Sequence, residues 1–538
     1  MESKKNDLES IIWSKVKNLD KRIWIVLFSS IIWGIFAHGM ALFNKYSIHD
    51  DSKYLFSLGA TYTSGRWMLA TLGKLHGLFF GGGFYSLPLF NGVISILCIA
   101  CSSYLIINLL DIKQMGLCIS ITGILISFPV ITGIFGYMFT APYYMIALLL
   151  AVSGVWIANK KTNILYFLVS ALLMSFSIGI YQAFIPVMMS LALLCFIFKL
   201  ITETPDKPKE LILSGVYLTG AVISSVLLYF FINKCFLIYY HLCLNDYQGI
   251  SSMGKESFSV YLSRIPTAFY HFFSTKNINE FTSMFPFRIR HFYSLILLFT
   301  AILSLYMIIQ TFRKNIFRGI LLTLSVLMLP LTFNFIFIMC DPEIVYTLML
   351  YGQSMLFVYL VLLISISEFP KLNITRAVYG FGTTLLLFIS ISYCRYANIN
   401  YLKAEYQQQQ MISYFTVLIT QIKSVEGYRD EMPVCYINSK NKNDTTLKEL
   451  SGFELFYTSP NYGIKEGING GGKTGGDKWY YFMNDWCAFS PKTVNAEDFV
   501  DLPEVIDMPY YPDDGSIKII NDTVVVKFGF FVGPIQEK

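Results

Sequence analysis

The chain reads as a polytopic α-helical membrane protein carrying a small soluble domain at its C-terminus. Three observations predict this class. Hydrophobic residues make up 54% of the 538 residues and charged residues only 14%, against about 25% charged in ordinary soluble domains. The apolar residues gather in blocks of about 20, the length a helix needs to cross a ~30 Å hydrocarbon core. Among the short loops between those blocks, lysine and arginine fall in every second one.

Residues 1–22 place Leu8, Ile11, Ile12, Val16 and Leu19 at helical spacing, with Lys15 and Lys17 between them. That pattern predicts a helix lying in the membrane interface, and it lacks the short apolar core and small-residue cleavage site of a secretory signal. The apolar blocks then fall at 23–43, 86–110, 115–135, 140–158, 164–180, 182–201, 211–233, 292–312, 316–338, 347–366 and 374–396. They predict about eleven spans within a membrane domain of residues 23–396. Lys113, Lys160, Lys161, Lys199, Lys207, Lys209, Arg313, Lys314, Arg318, Lys371 and Arg376 occupy alternate loops. The loops near 136–142, 181 and 340–346 have no lysine or arginine. The positive-inside rule therefore predicts a cytoplasmic N-terminus, and an odd number of spans predicts an extracytoplasmic C-terminus.

Residues 44–85 and 234–291 are expected as two long outer loops, and residues 397–538 as an outer domain, α/β or mostly β. Val434–Asn438 and Thr523–Phe528 carry strand-like patterning. The ten cysteines form no CxxC pair. Most sit in apolar blocks, where a thiol behaves as a small hydrophobe. Cys435 and Cys487 both fall in the C-terminal domain, which makes them the candidate disulfide if that domain is in an oxidising compartment.

The polar residues that can carry chemistry collect in the outer loops. Asp50 and Asp51 follow His49 just beyond the first span. Neighbouring carboxylates raise one another's pKa, which suits a general base, and the competing reading is a solvated loop with a capping aspartate. Arg66 and Lys74 follow, suited to an anion such as a phosphate or to snorkelling at the interface. Tyr181 and Gln182 stand where two apolar blocks meet, for hydrogen-bonding a ligand or for capping the bend. The second loop offers Asp246, Lys255, Glu256, Arg264, His271, Arg288, Arg290 and His291. Of these, Arg288, Arg290 and His291 put positive charge at an outer face, against the usual bias. Asp341 and Glu343 form a second acidic group. No set of residues has metal-ligand spacing, although His49, Asp50 and Asp51 contain the oxygen and nitrogen donors a divalent cation would need. Gly467–Thr474 fits the phosphate-loop pattern G-x-x-x-x-G-K-[ST]. The pattern needs a buried strand before it and a helix after it, whereas polar Tyr462–Glu466 precede it and the poor helix formers Gly475-Gly476-Asp477 follow. The aromatic run Trp479, Tyr480, Tyr481, Phe482 and Trp486 suits either sugar stacking or the core of a small domain.

The acidic pair in the first outer loop, Ser64-Gly65-Arg66-Trp67 after it, and Ser177-Ile178-Gly179-Ile180-Tyr181-Gln182 resemble the GtrII-type glucosyltransferases. These are linked to serotype conversion of bacterial O-antigen, and they share the plan of the GT-C membrane glycosyltransferases. The resemblance covers about residues 20–400. It implies a GT-C-like fold in the bacterial inner membrane, and transfer of a sugar, glucose above all, from polyprenyl phosphate to a surface polysaccharide. It implies an outer-loop aspartate as base, matched here by Asp50 and Asp51, and partner proteins that make and flip the donor. Nothing points to nucleic acid. A transporter or flippase for lipid-linked sugars and a polysaccharide polymerase are the alternatives. Ionisable residues at mid-membrane would favour transport, and the blocks are nearly free of them.

Overall fold

The computed structural model describes residues 10, 14, 19–46, 58–81, 86–203, 208–245, 256–274, 289–438 and 477–528. The expected interfacial helix at residues 1–22 lies almost wholly outside them, as does the Gly467–Thr474 loop.

The membrane region runs through α1 (Lys21–Phe43), α2 (Leu58–Thr63), α3 (Trp67–Phe80), α4 (Pro88–Leu109), α5 (Met115–Ser127), α6 (Pro129–Phe135), α7 (Ala141–Lys160) and α8 (Ile164–Ile180). It continues with α9 (Ile185–Thr202), α10 (Pro208–Tyr239), α11 (Phe258–Phe273), α12 (Ile289–Lys314), α13 (Ile316–Phe333), α14 (Ile336–Met339), α15 (Met355–Ile366) and α16 (Leu372–Lys423). Local chemistry sets the starts. Asp20 caps α1 by accepting from the Arg22 amide, and Asn163 and Asn315 cap α8 and α13 in the same way. Proline occupies the first turn of α4, α6, α7 and α9, where its missing N–H costs no hydrogen bond.

Among the described residues, eight helices are long and apolar enough to cross a membrane, or nine if the bent pair α5–α6 is one span. The expectation of about eleven spans thus resolves into these and two shorter apolar helices, Ile164–Ile180 and Tyr351–Ile366. The 43° bend between α5 and α6 falls at Phe128. The following Pro129 forces that residue out of the helical region. Two further helices, α11 and the extension of α10 to Tyr239, fill part of the expected loop 234–291. In α11, Phe258, Leu262, Ile265, Phe269 and Phe273 make one apolar stripe at helical spacing.

The basic loops gather at one end of the bundle. There Arg22 donates to the Ile112 carbonyl, Gln114 to Ser365, Trp156 to Asn108, Tyr217 to Asn163, and Arg318 to the Leu200 and Glu203 carbonyls. The loops without lysine or arginine lie at the opposite end. Although α8 has only 17 residues, it runs from Asn163 at the basic end to Tyr181 at the other.

The last helix does not stop at residue 396. α16 continues unbroken for 52 residues, and its final turns bury Phe415, Leu418 and Ile422 in the C-terminal domain. That domain holds β1 (Val434–Asn438), α17 (Asp477–Cys487), α18 (Pro503–Ile506), β2 (Ile517–Ile520) and β3 (Thr523–Phe528). The three strands form one sheet in the order β1-β3-β2, parallel between β1 and β3 and antiparallel between β2 and β3. Both strand-like patterns in the sequence are therefore strands. Alternation sends Val434 and Tyr436 to one face with Phe482 and Trp486, and Cys435 and Ile437 to the other with Phe499 and Val505. Phe482 is buried in that first core; the side chains of Trp479, Tyr480 and Tyr481 lie outside the described residues.

This alternation removes the candidate disulfide. Cys435 belongs to one core and Cys487 packs against the other, and both thiols are free. Burial pushes the Cys435 thiol up to about 12, so it stays protonated and inert.

Candidate active site

At the end opposite the basic loops, two segments far apart in sequence are fastened together. The first is the turn after α2. Its amides close a paired pattern, Arg66 N–H to the Thr61 carbonyl and Gly65 N–H to the Tyr62 carbonyl, both at 3.0 Å. This turn needs a left-handed residue, and Gly65 supplies it with φ of 72°. The second is the break between α8 and α9, where Tyr181 is extended and Gln182–Phe184 form a single 3-10 turn before α9 begins at Ile185, with Pro186 in its first turn.

Gln182 joins the two. Its Nε2 donates to the Ser64 carbonyl and to the Tyr229 hydroxyl of α10, both at 3.1 Å, and Tyr229 in turn donates to the Gly65 carbonyl at 3.1 Å. These groups are buried, where an unpaired carbonyl would be costly. One turn back along α8, Gly179 lets Trp67 pack directly on the helix backbone; a Cβ there would lie 2.6 Å from the indole. Trp67 also stacks on Phe236 of α10.

Arg66 is half-buried beside this knot. Its guanidinium donates to the Tyr144 hydroxyl at 3.3 Å and sits 5.5 Å from the centre of the Tyr181 ring. Tyr144 and Tyr181 stack in parallel at 4.4 Å. The result is a cation held over the Tyr181 ring and fastened to the Tyr144 hydroxyl, with a planar fork suited to an anion.

Lys74 lies two turns further along α3 and is exposed. It hydrogen-bonds the Tyr240 hydroxyl and stands 4.5 Å from the Tyr240 ring and 5.4 Å from the Tyr62 ring. The Tyr240 contact holds the lysine above its ordinary pKa and draws the Tyr240 phenol below its own. The Asn245 amide donates to the Thr63 carbonyl, which ties the start of the second long loop to the end of α2.

The structure thus brings Arg66, Tyr181 and Gln182 together, with Lys74 nearby on the same helix. Arg290 and His291 stand instead in the first turn of α12, among α11–α13, where Tyr293 donates to the Phe272 carbonyl. Asp341 caps the short turn that follows it by accepting from the Glu343 amide. Arg264 is paired with Glu256 at 2.7 Å and donates to the Ile338 carbonyl. Asp50, Asp51, His49, Asp246, Lys255 and Arg288 lie outside the described residues. Among the described residues no three His, Cys, Asp or Glu side chains come together to hold a metal ion. Tyr144, Tyr229, Tyr62 and Tyr240 are the members of the site that sequence reasoning missed. One tyrosine among 36 carries no local signal of a tertiary partner.

Fold and site define a polytopic helical membrane protein with a cationic, tyrosine-lined knot at one end of its bundle. The family profile of glucosyl transferase GtrII matches residues 39–363, and the chain belongs to that family. It is a membrane glucosyltransferase. The matched region contains the turn at Ser64-Gly65-Arg66, the break at Tyr181-Gln182, and Tyr229. No curated protein and no solved structure shows a significant match to it.

Proposed function

We propose that the protein transfers glucose from polyprenyl phosphate to a hydroxyl of a surface polysaccharide such as O-antigen. The observation that carries this reading is the knot of Arg66, Tyr181 and Gln182. It gathers both short motifs of the family resemblance at the bundle end opposite the short basic loops. In the proposed step, Asp50 or Asp51 takes the proton of the acceptor hydroxyl. The hydroxyl oxygen then attacks the anomeric carbon, whose bond to the lipid phosphate oxygen breaks, leaving the electron pair on the phosphate. Arg66 suits that developing charge, since a fixed donor aimed at a leaving oxyanion stabilises the transition state more than the ground state. Lys74, Arg290 and Arg288 supply further positive charge toward the phosphate. Tyr181, Gln182 and His291 offer hydrogen bonds and a stacking face to the sugars. The gathering of the lysine- and arginine-bearing loops at one end supports a cytoplasmic N-terminus in the bacterial inner membrane, with residues 397–538 on the other side.

The test is polysaccharide glucosylation in cells carrying Asp50→Asn or Asp51→Asn, with the protein quantified in membranes. Loss of glucosylation at normal protein level supports the reading. Full modification in both variants, and in the double variant, overturns the assignment of the base.

A further inference from the structure

His38 is a completely buried histidine in the first span, and the reaction proposed above does not use it. Its Nε2 lies 2.9 Å from the Ile126 carbonyl oxygen and its Nδ1 lies 2.9 Å from the Tyr401 hydroxyl. A carbonyl only accepts, so Nε2 carries the proton. In the neutral ring Nδ1 then accepts from Tyr401. The Ile126 carbonyl is available because the break after Ser127 removes the amides that would follow in a continuous helix. One imidazole therefore ties together α1, the bend between α5 and α6, and α16.

The tie continues toward the site. Tyr46 stacks parallel to Tyr401, with ring centres 6.4 Å apart and planes 7° from parallel. Asn398, one turn earlier on α16, donates to the Phe36 carbonyl at 2.9 Å. Burial, together with Glu405 nearby, pushes the Tyr46 phenol up to about 12, so that ring packs as a neutral plate. Tyr46 stands four residues before Asp50 in the chain.

We propose that His38, Tyr401 and Tyr46 are positioning residues for glucosyl transfer: they clamp the exit of α1 onto α16 and so fix the point from which the acidic segment leaves the bundle. This rests on the reading that Asp50 or Asp51 is the base. Their role is to hold the chain at Tyr46, four residues before Asp50, rather than to take part in the chemistry.

The experiment compares Tyr401→Phe, His38→Phe, the double variant and Tyr46→Leu in membranes containing the full chain. Tyr401→Phe keeps the ring and removes only the hydroxyl, so it isolates the hydrogen bond from packing. Two readouts are taken. The first is initial transfer rate against donor concentration. The second is the rate of thiol labelling at Lys45→Cys, measured on the peptide, in the same backgrounds. The expected result is a fall of about tenfold in kcat with donor KM little changed, faster labelling at position 45, and a double variant no worse than the poorer single one. His38→Gln, which can both donate and accept, is expected to restore part of the rate. Wild-type kcat in Tyr401→Phe, or lost activity with unchanged labelling and a lowered melting temperature, overturns the proposal. If Asp50→Asn and Asp51→Asn both retain transfer, the base assignment fails, and the labelling rates still decide whether the clamp exists.

Discussion

Gln182 hydrogen-bonds the Ser64 carbonyl across 118 residues of sequence, and the same amide nitrogen reaches Tyr229. The turn after α2, the break between α8 and α9, and α10 are therefore joined through one donor group in a buried setting. Gln182→Leu is expected to leave the Ser64 carbonyl unpaired, at about 1–3 kcal/mol. Thermal unfolding in detergent should show a lowered midpoint, and transfer activity should fall with it. Tyr229→Phe removes two hydrogen bonds, the one accepted from Gln182 and the one donated to the Gly65 carbonyl, and is expected to cost about 1–3 kcal/mol. A Gln182→Leu variant with wild-type melting and activity would show that the knot is ornamental.

Arg66 makes a different prediction, because its role is proposed to lie in the transition state. Arg66→Lys keeps the charge but loses the planar fork that lies over the Tyr181 ring. Transfer is expected to drop by about 10- to 100-fold in kcat/KM, equivalent to roughly 1.4–2.8 kcal/mol. Melting should change little, since Arg66 is only half-buried. Initial rates in isolated membranes measure this, and equal rates for lysine and arginine would remove Arg66 from the chemistry.

Gly65 and Gly179 separate backbone conformation from packing. Gly65→Ala places a Cβ at φ of 72°, costing about 1–2 kcal/mol. Gly179→Ala drives a methyl to within 2.6 Å of Trp67, an overpacking expected to cost about 1–3 kcal/mol. Either variant should lower both the melting midpoint and the activity. Trp67→Phe is expected to relieve the Gly179→Ala clash in part, which a double-mutant cycle can read.

Asp20 gives a pH dependence. The side-chain hydrogen bond from Arg22 holds the Asp20 carboxyl below its usual value. A lowered folded-state pKa means that the stabilisation is present above the unfolded value near 3.8 and is lost as the pH falls through the folded one. Asp20→Asn keeps a capping oxygen but loses the charged pair with Arg22, so it should lower stability at neutral pH by up to about 1 kcal/mol. The gap from wild type should stay constant down to the ordinary carboxylate range and close only below it.

Cys435 and Cys487 provide a covalent check on the C-terminal domain. Both thiols face different cores, so denaturation without reductant should expose two alkylatable cysteines there. Mass spectrometry of a disulfide-linked peptide pair would contradict the strand register of β1.

Much of the membrane region was legible because lipid imposes a single rule, long apolar helices, and each apolar block contains an apolar helix, although the block at 347–366 opens with short 3-10 turns before Met355. The bend at Phe128 was readable from Pro129, yet residues 115–135 looked like one span because composition is uniform across the break. The end of α16 was hidden for the opposite reason. Hydropathy falls after residue 396, but Ala404, Glu405 and the glutamines after Tyr406 are good helix formers, and Phe415, Leu418 and Ile422 keep helical spacing. The site was half legible. Arg66, Tyr181 and Gln182 stand out as polar residues in apolar surroundings, whereas Tyr144 and Tyr229 gain their meaning only from partners brought near by folding.

The unbroken run of α16 turns chain length into a ruler and a dial. Tyr401 is clamped at the bundle and Phe415 is buried in the C-terminal core, and between them the helix rises about 21 Å at 1.5 Å per residue. A single residue inserted there would lift the C-terminal domain by about 1.5 Å and swing it by about 100°. Seven inserted residues would raise it by about 10 Å while leaving it facing nearly the same way. The height and heading of everything that α16 carries are thus written in the number of residues between two buried aromatic rings.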